Sequence, residues 1–320
     1  MSFSSKTKNE LSRLTIENTC CLMAELAAIV RMNGTLQING INKIKIKFST
    51  ENPAIARRIF SLLKEHYDFS TEVRVRRNSK LKKNNSYLMV VSDTSKARKL
   101  MEDVKVLQKN QNQLYSINYR IPESIFQKKC CKRAYIRGAF LGGGSISDPE
   151  KTYHLEFVNH NQEHSEDLSK LINSFGLNSK TISRKDNYIV YIKEGEQIVD
   201  LLNIMGAHSS LLKLENIRVV KEMRNNINRI VNCETANLSK TINAAVRQIN
   251  NIKYIDKVMG IEKLPPNIRE IAELRLMNRE ASLKELGQML STPVGKSGVN
   301  HRLRKLEKIA ERLKKERGDL

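Results

Sequence analysis

Leu26-Ala27-Ala28-Ile29-Val30-Arg31-Met32-Asn33-Gly34 and Ile136-Arg137-Gly138-Ala139-Phe140-Leu141-Gly142-Gly143-Gly144 are the two stretches that decide the fold. Each reads as an apolar, small-residue helix that stops at a glycine. Their closing glycines stand 110 positions apart, and an adjacent cysteine pair precedes each. Cys21 lies 13 residues before Gly34, and Cys131 lies 13 residues before Gly144. The matching intervals point to an internal duplication. Ala27 and Ala28 in one helix, and Gly138, Ala139 and Gly142 in the other, leave room for two backbones to approach closely. The pair is therefore expected to form the seam between two repeats. Gly34 and Gly144 are expected to take the left-handed conformation that ends a helix.

The sequence after Gly34 supplies the rest of the first repeat. Leu36-Gln37-Ile38, the pair Asn39-Gly40 and Lys43-Ile44-Lys45-Ile46-Lys47-Phe48 read as a β-hairpin. The period of two puts Ile44, Ile46 and Phe48 on one face and Lys43, Lys45 and Lys47 on the other. Asn52-Pro53 opens a helix whose apolar residues Ile55, Ile59, Leu62 and Leu63 are spaced by three to four. Val73 and Val75 alternate with Arg74 and Arg76, a basic and polar turn runs from Arg77 to Asn85, and Leu88–Val91 returns. A helix near Asp93–Leu107 closes the unit. The second repeat has the same order. It runs through a strand at Tyr153–Phe157, a helix at Gln162–Phe175, a hairpin at Thr181–Arg184 and Tyr188–Ile192 around Lys185-Asp186-Asn187, and a helix at Gln197–Met205.

On these residues each repeat resembles the LAGLIDADG fold of homing endonucleases, and the two opening stretches look like worn copies of its motif. In that family the last acidic residue of each motif binds the catalytic metal. The matching positions here are Asn33, a neutral ligand at best, and Gly143, which has no side chain. The resemblance thus implies a DNA-cutting scaffold without its carboxylates. Asp148, in a Ser-Asp-Pro turn, and Glu25 are nearby acids, and both read as structural rather than as a rebuilt metal site. No catalytic residue, metal or cofactor is expected.

Composition narrows the class further. The chain has 320 residues, enough for two or three domains with real cores. No apolar run approaches the roughly 18 residues that span a bilayer, and Met1–Lys6 lacks an apolar signal core. A cytoplasmic, nucleoid-associated protein without a membrane partner is expected. Net charge is +22, which implies a polyanionic partner. The surplus is uneven: residues 1–121 carry 22 basic and 10 acidic side chains, whereas residues 122–220 carry 13 and 12. Adjacent cysteines are poor spacing for zinc or for a disulfide, so Cys20, Cys21, Cys130, Cys131 and Cys233 read as reduced thiols packed as small hydrophobes. His160 and His164 have H-x3-H spacing, with His154 close by, but no ligand set completes them. They read as helix-cap or surface histidines.

Lys43, Lys45 and Lys47, with Arg74, Arg76, Arg77, Lys80, Lys82 and Lys83, are candidate phosphate contacts that would position the chain on DNA without reading its sequence. A charge-rich, simply solvated sheet face is the competing reading. In the second repeat His154 and Glu156 replace Lys45 and Lys47, which argues against a symmetric DNA saddle.

Lys213–Val231 and Ala236–Ile255 read as two long, polar-faced helices that link domains. Beyond Pro265-Pro266, a helix is expected at Ile268–Leu276. Ser282 then caps a helix with Glu285 completing a capping box, and Leu283, Leu286 and Leu290 form its buried stripe. Ser291–Gly295 is the turn. From Ser297 to Lys315, Val299, Leu303, Leu306, Ile309 and Leu313 form one apolar face. Ser297, Asn300, His301 and Arg304 lie at i, i+3, i+4 and i+7 on another, with Lys296, Arg302 and Lys305 beside them. That is the layout of a helix-turn-helix recognition helix, whose short polar donors reach base edges while the basic residues hold phosphates. An amphipathic helical hairpin with a solvated basic face is the alternative.

The run Arg133–Ser145 around the second motif, Val231-Asn232-Cys233-Glu234-Thr235-Ala236-Asn237-Leu238, and Pro293-Val294-Gly295-Lys296-Ser297-Gly298-Val299-Asn300-His301-Arg302-Leu303-Arg304-Lys305-Leu306 resemble the WhiA family over nearly the whole chain. The fold expected is α+β: a duplicated LAGLIDADG-type αββαββα domain followed by an all-α helix-turn-helix domain. The expected divisions are 1–15, a flexible N-terminus; 16–121 and 122–220, the two repeats; 221–262, a helical linker; and 263–320, the DNA-binding domain. The resemblance implies a bacterial, non-enzymatic, sequence-specific binder of double-stranded DNA. It would act as a transcription regulator of sporulation genes, or in cell division and chromosome segregation. A transcription-machinery or cell-division protein is an implied partner of the N-terminal domain. Two other readings stay open: a LAGLIDADG domain that is mainly a protein-interaction module with DNA as tether, and an active metal-dependent nuclease or maturase.

Overall fold

The structure is a computed structural model that describes residues 1–39, 43–69, 71–77, 85–109 and 115–317. The turn expected at Asn39-Gly40, and the one between Arg77 and Asn85, fall on residues outside this set. The chain forms two compact units, Met1–Lys221 and Glu222–Leu320.

The first unit opens with helix α1 (Phe3–Leu11), where a flexible tail was expected. Phe3, Thr7 and Leu11 sit four residues apart on one face and are all buried, and Ser2 caps the helix by accepting the Ser5 amide at 3.2 Å. Nine residues carry too short a pattern to be read as a helix without the core that receives it. The first repeat follows as α2 (Thr19–Asn33), β1 (Gly34–Asn39), β2 (Lys43–Thr50), α3 (Pro53–Tyr67), β3 (Glu72–Arg77), β4 (Asn85–Val91) and α4 (Thr94–Asp103). A short pair, β5 (Leu107–Lys109) and β6 (Tyr115–Ile117), leads to the second repeat. That repeat is α5 (Lys129–Gly143), β7 (Gly144–Ile146), β8 (Leu155–Asn159), α6 (Gln162–Asn173), β9 (Lys180–Arg184), β10 (Asn187–Ile192) and α7 (Gly195–Met205). Both sheets are antiparallel with equivalent strand orders, β1-β2-β4-β3 and β7-β8-β10-β9. Gly34 pairs with Phe48 and Gly144 with Phe157, so Lys47 corresponds to Glu156 in register.

Local chemistry sets the helix ends. Asn52 accepts the Ala54 amide at 2.8 Å with Pro53 in the first turn of α3, Asp93 caps α4, and Asn161 accepts the His164 amide at 2.8 Å to start α6. Alternation along β2 buries Ile44, Ile46 and Phe48. These join Leu26, Ile29, Phe140 and Phe157 in one core shared by both repeats.

The seam between the repeats is the contact of α2 with α5. A Cβ on Gly138 would overlap the backbone oxygen of Glu25, and one on Gly142 would lie 2.7 Å from the Met32 Cβ. Only glycine permits this approach. Gly34 and Gly144 are not left-handed, contrary to expectation: their φ angles are −73° and −80°, in extended backbone. The chain runs straight from helix into strand, and glycine is needed because a Cβ on Gly34 would stand 2.5 Å from the Val30 oxygen and one on Gly144 would strike the Phe140 ring.

Polar side chains brace the seam. Glu25 is fully buried, with one carboxylate oxygen 2.7 Å from Arg58 Nε on α3 and the other 2.6 Å from Arg137 Nε on α5. Buried Arg31 donates to the carbonyl oxygens of Ala27, Val104, Lys105, Tyr119 and Arg120, tying the inter-repeat segment to α2. His164 is a fully buried core residue rather than a cap or surface histidine. Asn159 accepts the Asn161 amide through Oδ1, which turns its Nδ2 donor toward His164 Nδ1. His164 Nε2 then carries the proton and donates to the Tyr135 hydroxyl at 2.8 Å.

At the first motif-acid position, Asn33 Nδ2 donates to Ser49 O at 3.0 Å and to Gly142 O at 3.3 Å, while its Oδ1 accepts the Ser49 amide at 3.0 Å. At the second, a Cβ on Gly143 would lie 2.5 Å from Met32 Cε and 2.7 Å from Val158 O. Asp148 is exposed and closes its own turn by accepting the Glu150 amide at 3.2 Å.

The second unit takes its first helix from α8 (His208–Met259), one continuous helix where two were expected. No glycine or proline interrupts residues 208–259, so nothing local stops it. Glu10 of α1 accepts the amides of Ser209 and Ser210 at 2.7 and 3.0 Å, which caps its start within the first unit. Its last turns are more than a linker, because Ile252 and Ile255 enter the second unit's core. There they meet α9 (Pro266–Met277), α10 (Leu283–Met289) and α11 (Lys296–Arg317) through Ile271, Leu286, Val299, Leu303 and Leu306.

His164 and the two motif-acid positions each lead to a stability prediction. Burial, aided by Arg31, holds the His164 pKa down at about 3 against an ordinary 6.5. The unfolded chain takes up this proton first, so the stability that neutral His164 contributes is complete above 6.5. It is lost as pH falls toward 3, at about 1.4 kcal/mol per pH unit. Urea unfolding across that range should show the slope in the wild type and a shallower one in His164→Gln. Separately, Asn33→Asp should cost about 1–2 kcal/mol in the same assay, because a carboxylate would face the two carbonyl oxygens that the amide now bonds. Gly143→Asp should cost more, through overlap with Met32 and Val158.

Candidate nucleic-acid interface

α10, the following turn and α11 form the helix-turn-helix. Ser282 starts α10 with a reciprocal box: its hydroxyl accepts the Glu285 amide at 3.3 Å, and the Glu285 carboxylate accepts the Ser282 amide at 2.7 Å. The box holds Glu285 below the usual carboxylate range, chiefly through the Ser282 backbone bond. The turn is tight because Gly287 has no Cβ. One there would overlap the Val294 oxygen, and the Val294 amide instead donates to Gly287 O at 3.0 Å. Glu270 on α9 fixes the same turn from below by accepting the Ser291 amide at 2.6 Å. That bond is the main cause of its lowered pKa, with Arg302 contributing. Buried Arg275 donates to Ala281 O at 2.7 Å and anchors the approach to α10.

This frame fixes how α11 is presented. Val299, Leu303, Leu306 and Ala310 are buried, so the opposite face is open. On it Ser297, His301 and Arg304 are exposed and Asn300 is half-buried. The eight residues of helix from Ser297 to Arg304 extend about 10 Å, a length that matches the width of a major groove. Lys296 and Lys305 are exposed beside them. Arg302 is half-buried, and its charge adds to the lowering of the Glu270 carboxyl. His301, Arg302, Lys305 and Lys308 line a cleft of about 490 Å³ with Pro265 and Asn267. Lys308 was missed in the sequence reading, although its position four residues after Arg304 could have flagged it.

The sheet candidates divide. Lys43 is exposed and Lys45 and Lys47 are half-buried on the outer face of β2. Arg74 and Arg76 share that face through the register Lys47↔Val90↔Glu72 and Arg74↔Leu88. Strand alternation puts Arg77 on the other face, with Val73 and Val75. Lys80, Lys82 and Lys83 lie outside the described residues. Glu72, absent from the sequence reading, interrupts the cationic face: it pairs with Arg74 at 2.8 Å, and its carboxyl is held low by the Arg74 and Ser92 hydrogen bonds, with Lys45 adding to the effect. In the second sheet Glu156 receives the Ser145 hydroxyl and His154 Nε2, both at 3.1 Å, and His154 stacks on Tyr191. The two outer faces therefore differ in sign at equivalent positions.

Neither motif position offers a carboxylate, since Asn33 and Gly143 occupy them, and Glu25 is held by two arginines. Among the described residues no helix is long and apolar enough to cross a membrane.

Three family models match this chain: the WhiA N-terminal LAGLIDADG-like domain over residues 19–107, the WhiA LAGLIDADG-like domain over 132–224, and the WhiA C-terminal HTH domain over 227–310. A "Probable cell division protein WhiA" of Alkaliphilus metalliredigens is 61% identical over 312 residues, 98% of each chain. A protein of the same name from Clostridium botulinum is 57% identical over 314 residues, covering 98% of this chain and 99% of its own. The full-length DUF199/WhiA crystal structure from Thermatoga maritima superposes with a TM-score of 0.60 at 27% identity, covering 98% of this chain and 99% of that one. Two LAGLIDADG-like repeats and a helix-turn-helix, matched in order over nearly the full length, mean that the chain belongs to the WhiA family.

Proposed function

We propose that this chain is a non-enzymatic, sequence-specific binder of double-stranded DNA that acts as a transcription regulator, in cell division and chromosome segregation, or in both. The observation that carries the proposal is the rigidly capped helix-turn-helix whose α11 presents Ser297, Asn300, His301 and Arg304 on its open face. In this reading those side chains reach base edges, while Lys296, Arg302 and Lys305 hold phosphates. The net charge of +22 supports a polyanionic partner. The curated relatives' name, a probable cell division protein, supports the second role. The site of action is the nucleoid in the cytoplasm.

The lack of a carboxylate at Asn33 and Gly143 supports the non-enzymatic part. A hard divalent cation needs oxygen ligands, and here an amide and a bare glycine face the seam. The basic outer face of the first sheet is assigned an auxiliary phosphate-tracking role through Lys43, Lys45, Lys47, Arg74 and Arg76. A second reading has a specific observation behind it. The second sheet's face carries the Glu156–His154–Tyr191 cluster instead of lysines, which suits a protein partner from the transcription or division machinery better than DNA.

The test is binding of the full chain to genomic fragments. Affinity should survive EDTA and fall steeply with salt. Asn300→Ala and Arg304→Ala should each cost about 1–3 kcal/mol on the selected sequence and little on random DNA. Unchanged affinity in both variants would remove the recognition-helix assignment. Magnesium-dependent cleavage of plasmid DNA by the wild type would overturn the non-enzymatic reading.

A further inference from the structure

The seam that closes the old acid site brings another group of residues together at its opposite end. Cys20 and Cys21 lie on the first turn of α2, and Cys130 and Cys131 on the first turn of α5. Adjacent cysteines looked unsuited to metal when each pair was considered within its own segment. Packing of the two helices changes the geometry, because all four sulfur atoms lie within 4.8 Å of one another. A tetrahedral Zn–S4 centre with bonds of about 2.3 Å separates its sulfurs by about 3.8 Å. Small rotations of side chains bridge that difference.

The surroundings suit the charge of such a centre. Four thiolates around a divalent cation carry a net charge of −2. Neither α2 nor α5 has a side-chain cap, so the positive ends of both helices meet the sulfurs with their first-turn amides uncapped by any side chain. Lys128, Lys129 and Lys132 adjoin the second pair. Cys21 and Cys131 are buried, while Cys20 and Cys130 are exposed, which gives two fixed ligands and two that close over an ion arriving from solvent. Burial pushes the Cys21 thiol up and the Cys131 thiol to about 11, whereas the hydrogen bond with Cys21 holds Cys130 down. Thiol ligands give up their protons to a metal, so affinity rises with pH. An all-sulfur set selects soft cations against magnesium and calcium.

We propose that Cys20, Cys21, Cys130 and Cys131 form a tetrathiolate site for a soft cation of the zinc class, which clips the two seam helices together at the ends away from Gly34 and Gly144. The ion is structural, with no position left open for a substrate. It differs in ligand type and in place from the hard-metal site that the motif carboxylates would build.

The experiment uses the full chain, reduced under argon, stripped with chelator and titrated with Co2+ and then Zn2+. One equivalent of Co2+ per chain should bind, with sulfur-to-cobalt charge transfer and the visible bands of a tetrahedral thiolate centre. Zn2+ should bleach both and raise Tm. Cys20→Ser/Cys130→Ser changes only exposed positions, so its circular dichroism should match the wild type. It should lose the bands and the rise in Tm, while Cys233→Ser keeps both. The proposal falls if the reduced wild type takes up no stoichiometric Co2+. It also falls if the bands persist in the double variant, or if the four thiols only form disulfides in air.

Discussion

The approach of α2 and α5 to backbone contact is the constraint on which the first unit depends. Gly138 faces the Glu25 carbonyl with no room for a Cβ, and Gly142 faces Met32 in the same way. Contact this close merges the two repeats into one core, since residues from both sheets then share the same apolar volume. It also places Glu25 between Arg58 and Arg137, a pairing that a wider seam would break. Removing the carboxylate would leave two largely buried guanidinium groups without a counter-charge, which is the costly direction for a buried ion pair.

The same closeness explains how the motif-acid positions are used. Asn33 closes hydrogen bonds to its own sheet and across the seam, and Gly143 lies against Met32 and Val158. The scaffold keeps its geometry while its two acid positions become brace and filler. Among the buried polar side chains, Arg31, Glu25 and His164 are each bonded to named partners. The ion pairs of Glu25 and the hydrogen bonds of Asn33 at this place hold the repeats together.

The second unit solves a different problem with smaller means. Its core is one apolar layer from α8, α9, α10 and α11, and its precision comes from backbone hydrogen bonds to Glu270, Glu285 and Arg275 around a turn only a few residues long. Those bonds fix the angle at which α11 is presented. The polar face of α11 then needs no further support of its own, and its side chains remain available to a ligand. In the first unit, by contrast, the charges on the outer sheet faces partly neutralise one another. Glu72 sits among the lysines and arginines, and Glu156 replaces a lysine.

Much of this was legible in the sequence because it depends on local periodicity. The repeat order, the hairpin with Ile44, Ile46 and Phe48 inward, the Ser282–Glu285 box and the apolar stripe of α11 all follow from spacings of two or three to four within one segment. The losses of acid at Asn33 and Gly143 are single-letter facts. Most of what the sequence did not reveal is nonlocal. The extended φ of Gly34 and Gly144 depends on the helix running into its strand. The N-terminal helix α1 needs a core built from residues far along the chain. His164 becomes a core residue only when Tyr135 and Asn159 close around it. Continuity of α8 is decided by the absence of a breaker, which polar asparagines at 225, 226 and 228 obscured. The four cysteines belong to two pairs that sequence keeps 110 residues apart, and only the packing of α2 on α5 makes them one group. Spacing along a chain fixes which face a side chain occupies; which faces meet is settled by close packing, and that is a property of the folded molecule alone.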